Sequence, residues 1–384
     1  MKRLSYALLA LVLLLVGCST APNTPLYQRS AQSYHYTQPS FEDYQRESLL
    51  WLQNNRVFLT ADKNTELSAN APFELRPEQP TDKGILLVHG LSGSPFFFRD
   101  IAEQLRARGF LVRVMLLPGH GSRPADLLDT ELADWERSVE HQIALLKREV
   151  DTLWLAGFST GANLVTSAAI ADPSISGLLL FSPGFAPKVR GLALTPWISK
   201  VADWADIDAP SENYISYDSL PFQVAASYYH STRKALKTLA QSGYKKPVLM
   251  AVSQDDVVID AQRVYRLFER HFTHPQSRLL WYGARQFDDR RVISLPTSLA
   301  ELQIRNFSHL SLLFKTDNPY FGRFGSTRLC EEELSAEQLR ECRQGTAVWF
   351  AEYGHTEPGK TFARLTWNPH FERQARAIDE ITAH

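Results

Sequence analysis

Thr152-Leu153-Trp154-Leu155-Ala156-Gly157-Phe158-Ser159-Thr160-Gly161-Ala162-Asn163-Leu164-Val165 holds a strand, a turn and the start of a helix. The first five residues are strand-like, Leu153 to Ala156 being apolar and suited to a buried strand, and the run after Gly161 favours a helix. Between them lies Gly-x-Ser-x-Gly, a short pattern whose weight comes from this strand-before, helix-after context. A serine on such a turn projects its hydroxyl beyond the sheet edge. Gly157 and Gly161 then have a physical reason, since strand and helix approach too closely for side chains. Ser159 is therefore the expected nucleophile. A serine that only caps the helix is the alternative, and the motifs that follow weigh against it.

Upstream, the apolar run Ile85 to Val88 leads into His89-Gly90-Leu91-Ser92-Gly93, where an oxyanion loop belongs. Acyl transfer builds negative charge on a carbonyl oxygen, and preorganised backbone N–H groups must face it. The backbone groups of Leu91 and of Thr160 are assigned that role. His89 reads as a structural residue of the loop, because the base should follow the nucleophile in the chain.

Farther out, apolar runs alternate with helical patterns, which defines an α/β class with a mostly parallel central sheet and helices on both faces. The expected strands are Ile85 to Val88, Leu111 to Leu116, Leu153 to Ala156, Leu178 to Phe181, Val248 to Val252 and Leu279 to Tyr282. Phe98 to Arg108, Leu132 to Glu149 and Ser159 to Ala171 are the helices between them. The alternation breaks between Phe185 and Lys245, so an aromatic-rich helical cap is expected at about 186–244, with two short helical patterns.

Gly84 to Val165 resembles the monoacylglycerol lipase and bacterial carboxylesterase branch of the α/β-hydrolases. The matching pieces are Leu87-Val88-His89-Gly90, Leu117-Pro118-Gly119-His120-Gly121, Asp134-Trp135 and the serine motif itself. The likeness resumes at Pro247 and implies an α/β-hydrolase fold and a Ser-His-Asp triad. It places the acid after the strand Val248 to Val252, in a register that selects Asp256, with Asp255 as the rival and Asp260 as a helix cap. It places the base after the last strand, which selects His309 over His355; His271 and His274 precede that strand. The family reaches its histidine sooner, so 283–305 reads as an insertion and 312–366 as extra C-terminal sequence.

Lysine and arginine number 41 against 42 acidic residues; with no long block of like charge, a nucleic-acid partner is not expected. No metal-ligand cluster and no dinucleotide glycine fingerprint occurs, so no metal and no cofactor is implied. Phe96 and Phe97, just past the oxyanion loop, are candidates to line an acyl pocket, with packing of the cap as the other reading. The expected substrate is a small-molecule ester or acylglycerol, cleaved through an acyl-enzyme. Acyl transfer, peptide cleavage at an N-terminus, and a non-catalytic envelope binding role are the alternatives.

At the N-terminus, Lys2 and Arg3 precede an apolar run from Leu4 to Val16, the pattern of a signal peptide over residues 1–17. Leu15-Val16-Gly17-Cys18 resembles the lipobox of bacterial lipoproteins, which implies lipidation of Cys18. Ser19 after it implies sorting to the outer membrane, facing the periplasm, with membrane contact through that lipid anchor. Residues 18–40 read as a flexible tether and 41–384 as the hydrolase domain, opening with a helix from Phe41 to Asn54. Cys330 and Cys342 are too far apart to bridge on one helix. Ser335 with Gln338 looks like a capping box, however, and a helix starting there leaves a bridge open.

Overall fold

In the computed structural model, which describes residues 21–205, 207, 213–331, 334–345 and 347–383, the apolar runs assemble into one eight-stranded sheet. Its strands are β1 (Phe73–Leu75), β2 (Lys83–Val88), β3 (Leu111–Met115), β4 (Thr152–Phe158), β5 (Gly177–Phe181), β6 (Val248–Ser253), β7 (Arg278–Tyr282) and β8 (Val292–Leu295). The order is β1-β3-β2-β4-β5-β6-β7-β8. Strand β1 is antiparallel to β3 and all other pairs are parallel.

Successive side chains of a strand point to opposite faces, so a continuous apolar run serves two cores. Ile85, Leu87, Trp154, Ala156 and Phe158 join one cluster, and Leu86, Val88, Leu153 and Leu155 join the other. The helices are α1 (Phe41–Asn55), α2 (Lys63–Asn70), α3 (Arg99–Ala107), α4 (Leu132–Leu146), α5 (Thr160–Ala171), α6 (Thr195–Ile198), α7 (Phe222–Ser242), α8 (Ala261–His271), α9 (Ala336–Gln344) and α10 (Phe371–Thr382). Helices α3 and α10 cover the first face through Leu105 and Ile378. Helices α4, α5 and α8 cover the second through Ile143, Val165 and Phe268.

The expected strands and helices of the core are present, with small differences at their ends. Four features differ from the reading of the sequence. Leu279 to Tyr282 is not the last strand: β8 lies inside the stretch read as an insertion and pairs parallel with β7. As a four-residue edge strand, half-buried over most of its length, it lacks the long apolar run of a central strand. The cap segment carries the four-residue α6 and a 21-residue helix, α7, in place of two short helices.

Third, the described part of the expected tether, from residue 21, lies against the body. The Tyr27 ring stands edge-on to Trp204 at 5.0 Å, and Ser30 donates from its backbone and hydroxyl to Asp126, 2.8 Å each. Tyr36 donates its hydroxyl to Asp134 at 3.0 Å. Such polar and aromatic contacts leave no apolar periodicity to read. Cys18 and the signal segment lie outside the described residues.

Fourth, the C-terminal segment is organised by short pairings. Strand β9 (Phe314–Lys315) pairs with β12 (Trp367–Asn368), and β10 (Trp349–Ala351) with β11 (Phe362–Arg364). The Ser335–Gln338 capping box opens α9, the preceding chain folds back, and Cys330 bonds to Cys342 with their Cα atoms 6.1 Å apart. Backbone bonds from Arg305 to the Phe350 carbonyl (2.8 Å) and from Phe350 to the Gln303 carbonyl (2.7 Å) join β10 to the chain leading to His309.

Candidate active site

The turn after β4 is as tight as its glycines require. Ser159 has φ 52° and ψ −112°, a left-handed conformation uncommon for a residue with a side chain and frequent at functional turns. A Cβ on Gly161 would lie 2.0 Å from the Val88 carbonyl oxygen, and one on Gly157 2.5 Å from the backbone nitrogen of Ala162. The strained backbone is pinned on three sides. Ser159 donates its N–H to the Phe181 carbonyl (3.0 Å), while its own carbonyl accepts from Ala162 and Gly184, both at 3.1 Å.

The same close approach sets the oxyanion loop beside the elbow. A Cβ on Gly90 would stand 3.2 Å from that of Ser159, so Gly90 and Leu91 pass directly over the serine. Among the described residues, no backbone bond outside the helices and strands engages the N–H of Leu91 or of Thr160, the two groups expected to face an oxyanion. Ser92, at φ 62°, turns the loop and accepts at its carbonyl from Tyr217 N–H, 2.9 Å, tying the cap segment to it.

His89 is structural. Leu117 donates its N–H to His89 Nε2 at 3.0 Å, so the ring proton sits on Nδ1 and is donated to the Gly90 carbonyl at 2.8 Å. Burial, then the neighbouring His120, holds the ring well below the usual histidine pKa and so neutral. His120, edge-on at 4.9 Å, is also buried, and its pKa is lowered to about 4.

Asp255 and Asp256 have different surroundings. Asp256 is completely buried; its Oδ1 accepts from the N–H groups of Val258 (2.8 Å) and Ile259 (3.1 Å), and its Oδ2 lies 2.6 Å from His309 Nδ1. Asp255 is half-buried, with burial raising its carboxyl pKa, and Asp260 accepts from Arg263 N–H as the cap of α8. The His309 ring lies 5.0 Å from that of Phe158, the residue before the serine, and Ser182 donates its hydroxyl to the His309 carbonyl at 3.0 Å. His355 instead contacts Glu357 at 3.2 Å in the C-terminal segment.

Phe97 is buried between Phe158 (5.8 Å) and Phe314 (6.0 Å), in the core behind the loop. Phe96 is half-buried, tilted against Phe314 and edge-on to Tyr320 with the Arg99 guanidinium over its face, and it lines a cleft with Leu67, Phe73 and Arg99. A cleft beside the oxyanion loop is lined by Ser92, Tyr214, Tyr217, Leu26, Tyr27 and Arg56.

Glu352, which the sequence did not mark, belongs to this neighbourhood. Its Oε2 accepts from His309 N–H at 3.1 Å and Val257 N–H at 3.3 Å. Burial, then the charge of Asp256, pushes its pKa up to about 7.

A parallel sheet with a strained serine at the carboxyl end of β4 and a free-amide loop after β2 is the architecture of an α/β-hydrolase. A protein-family model for serine aminopeptidases of family S33 matches residues 79–283, more than half of the chain, and the chain belongs to that family. The thermostable monoacylglycerol lipase of Bacillus sp. (strain H-257) is 30% identical over 183 residues, 46% of this chain and 71% of the relative. A carboxylesterase of Bacillus subtilis (strain 168) is 22% identical over 212 residues, 55% of this chain and 81% of the relative. A solved structure of metagenome-derived lipolytic enzymes superposes with a TM-score of 0.49 at 23% identity, covering 56% of this chain and 87% of that one. The chain is a serine ester hydrolase of the lipase and esterase kind.

Proposed function

We propose that the protein cleaves carboxylic esters, monoacylglycerols among them, through a triad of Ser159, His309 and Asp256. The observation that carries this reading is the 2.6 Å contact between His309 Nδ1 and buried Asp256 at the sheet edge that bears the Ser159 elbow. Asp256 accepts the Nδ1 proton and leaves Nε2 free to take the proton of Ser159 as its oxygen attacks the ester carbonyl. The carbonyl oxygen becomes an oxyanion between the N–H groups of Leu91 and Thr160. Collapse returns the proton to the departing alcohol and leaves an acyl-enzyme; water, deprotonated by His309, then releases the acid.

The test is a chain-length series of chromogenic esters on wild type and Ser159→Ala. Loss of turnover in the variant is expected, and equal activity in both would sink the assignment. The family's description as serine aminopeptidases favours a second reading, peptide cleavage at an N-terminus, which turnover of amino-acid anilides in preference to the esters would establish.

The proposed address is the bacterial envelope, with a lipid on Cys18 holding the enzyme at the outer membrane. The Cys330–Cys342 disulfide supports an oxidising compartment. Cys18→Ser is expected to release the protein from the membrane fraction or block its processing, and unchanged fractionation would refute lipidation.

A further inference from the structure

The base lies beyond the family match, which ends at residue 283, and the chain between β8 and His309 has no place in the central sheet. Two loops must nevertheless hold the acid and the base in register: the turn after β6 that carries Asp256, and the Asn306-Phe307-Ser308-His309 stretch. No backbone–backbone bond joins the two loops among the described residues. Ser253, at the end of β6, makes one tie, its hydroxyl donating to the Phe307 carbonyl at 2.7 Å and accepting from Asp255 N–H at 3.3 Å; Glu352 makes the tie that reaches His309 itself.

Its Oε2 takes the N–H of His309 and the N–H of Val257, the residue after Asp256. Its Oε1 accepts from Tyr353 N–H at 2.6 Å, and its own N–H donates to Asn306 Oδ1 at 2.8 Å. The carboxylate is buried, with 6% of its surface exposed, and the charged or titratable groups acting on it are Asp256, His309 and Arg364. A buried acidic side chain beside the like charge of Asp256 is unfavourable for stability alone, so its position calls for another reason.

We propose that Glu352 is a positioning residue for the acid–base pair: delivered by the C-terminal segment, it ties the His309 backbone to the Asp256 turn and sets their separation. The proposal rests on the triad reading above. It gives the segment a task. Strand β10 ends at Ala351, one residue before Glu352, and is bonded on one side to 303–305 and on the other to β11, which the Cys330 bridge at Ala363 joins to the disulfide. Glu352 itself touches no reacting atom; it acts through main-chain N–H groups, so a neutral acceptor can replace it.

The experiment compares Glu352→Ala, Glu352→Gln, Asn306→Ala and His309→Ala in the full chain, by ester kinetics and by labelling of the serine with a fluorophosphonate. Glu352→Ala is expected to lower kcat about 10- to 100-fold, the range for a misplaced catalytic group, with KM within about threefold. Glu352→Gln keeps an oxygen for both N–H groups but turns its NH2 toward the Tyr353 N–H that Oε1 now accepts, so it should restore part of that loss. Asn306→Ala, which loosens the anchor but keeps the carboxylate, should show a smaller loss of the same kind and guards against failure of Glu352→Ala to fold. Wild-type kcat in folded Glu352→Ala, or wild-type kcat in Asn306→Ala where Glu352→Ala does not fold, would overturn the proposal, as would a glutamine variant no better than alanine. Retained labelling in His309→Ala would overturn the triad reading instead.

Discussion

Gly161→Ala probes the contact on which the elbow and the oxyanion loop both depend. The new Cβ would stand 2.0 Å from the Val88 carbonyl oxygen and 2.6 Å from that of His89. Non-bonded carbon and oxygen need at least 3 Å or so, so the start of α5 must move about 1 Å from the end of β2, because both clashing partners are backbone. Overpacking of this kind costs about 1–3 kcal/mol. The functional cost is larger than stability alone implies: Val88 and His89 lead into Leu91, and Gly161 follows Thr160, so the same shift separates the two proposed oxyanion donors. A displacement of about 1 Å at a reacting centre costs up to about 100-fold in rate. Thermal melting and kcat/KM on a short chromogenic ester measure the two effects separately. A folded Gly161→Ala enzyme with wild-type kcat/KM would refute the assignment of Leu91 and Thr160 as a coupled donor pair.

Asp256→Asn places an amide against His309 Nδ1 and favours the wrong tautomer, so kcat should fall by about 10⁴, while Asp255→Asn should stay within about threefold of wild type; ester kinetics on the two variants decide between the neighbours. His120, with a folded pKa of about 4 against about 6.5 when unfolded, binds fewer protons in the native state. Its neutral burial therefore leaves stability untouched above pH 6.5 and lowers it as pH falls toward 4, by about 2 kcal/mol at pH 5. Chemical denaturation at pH 7.5 and pH 5 should show wild type losing that much more than His120→Asn. The Cys330–Cys342 bridge closes a loop with a sequence separation of 12, worth on the order of 3 kcal/mol by chain entropy. Reduction should lower the melting temperature and, if Glu352 positions the base, kcat as well; unchanged melting and turnover under reductant would refute a supporting role.

The parts that were legible are those whose chemistry is local. Gly157 and Gly161 announce a backbone contact because no other residue fits it, and the loop after Val88 follows from strand polarity. Strand β8 was hidden because a four-residue edge strand beside Arg290 and Arg291 lacks the apolar run of a central one. The packing of residues 24–38 rests on Tyr27, Ser30 and Tyr36 meeting partners far along the chain, contacts that no window of sequence contains. Phe96 and Phe97 were ambiguous for a related reason: an aromatic pair after a loop looks the same whether it faces a ligand or Phe314. Glu352 had no signal at all, since one carboxylate that bonds the main chain of two distant loops needs no spacing or motif.

The two departures from the family pattern, the stretch 283–305 and the segment 312–366, are physically one. Strand β8 extends the sheet and carries the chain past the point where β7 would have delivered it to the base, so His309 cannot be positioned by the strand end alone. The return of the chain through 303–305, where Ile304 is buried, needs hydrogen-bond partners to hold its course. Strand β10 supplies them through Phe350, and two residues later Glu352 reaches the base and the acid turn. Deleting the C-terminal segment would therefore leave the carbonyl of Gln303 and the amide of Arg305 without these partners, as well as the amides of His309 and Val257. The longer route to His309 and the extra chain that follows it are each intelligible only in the presence of the other.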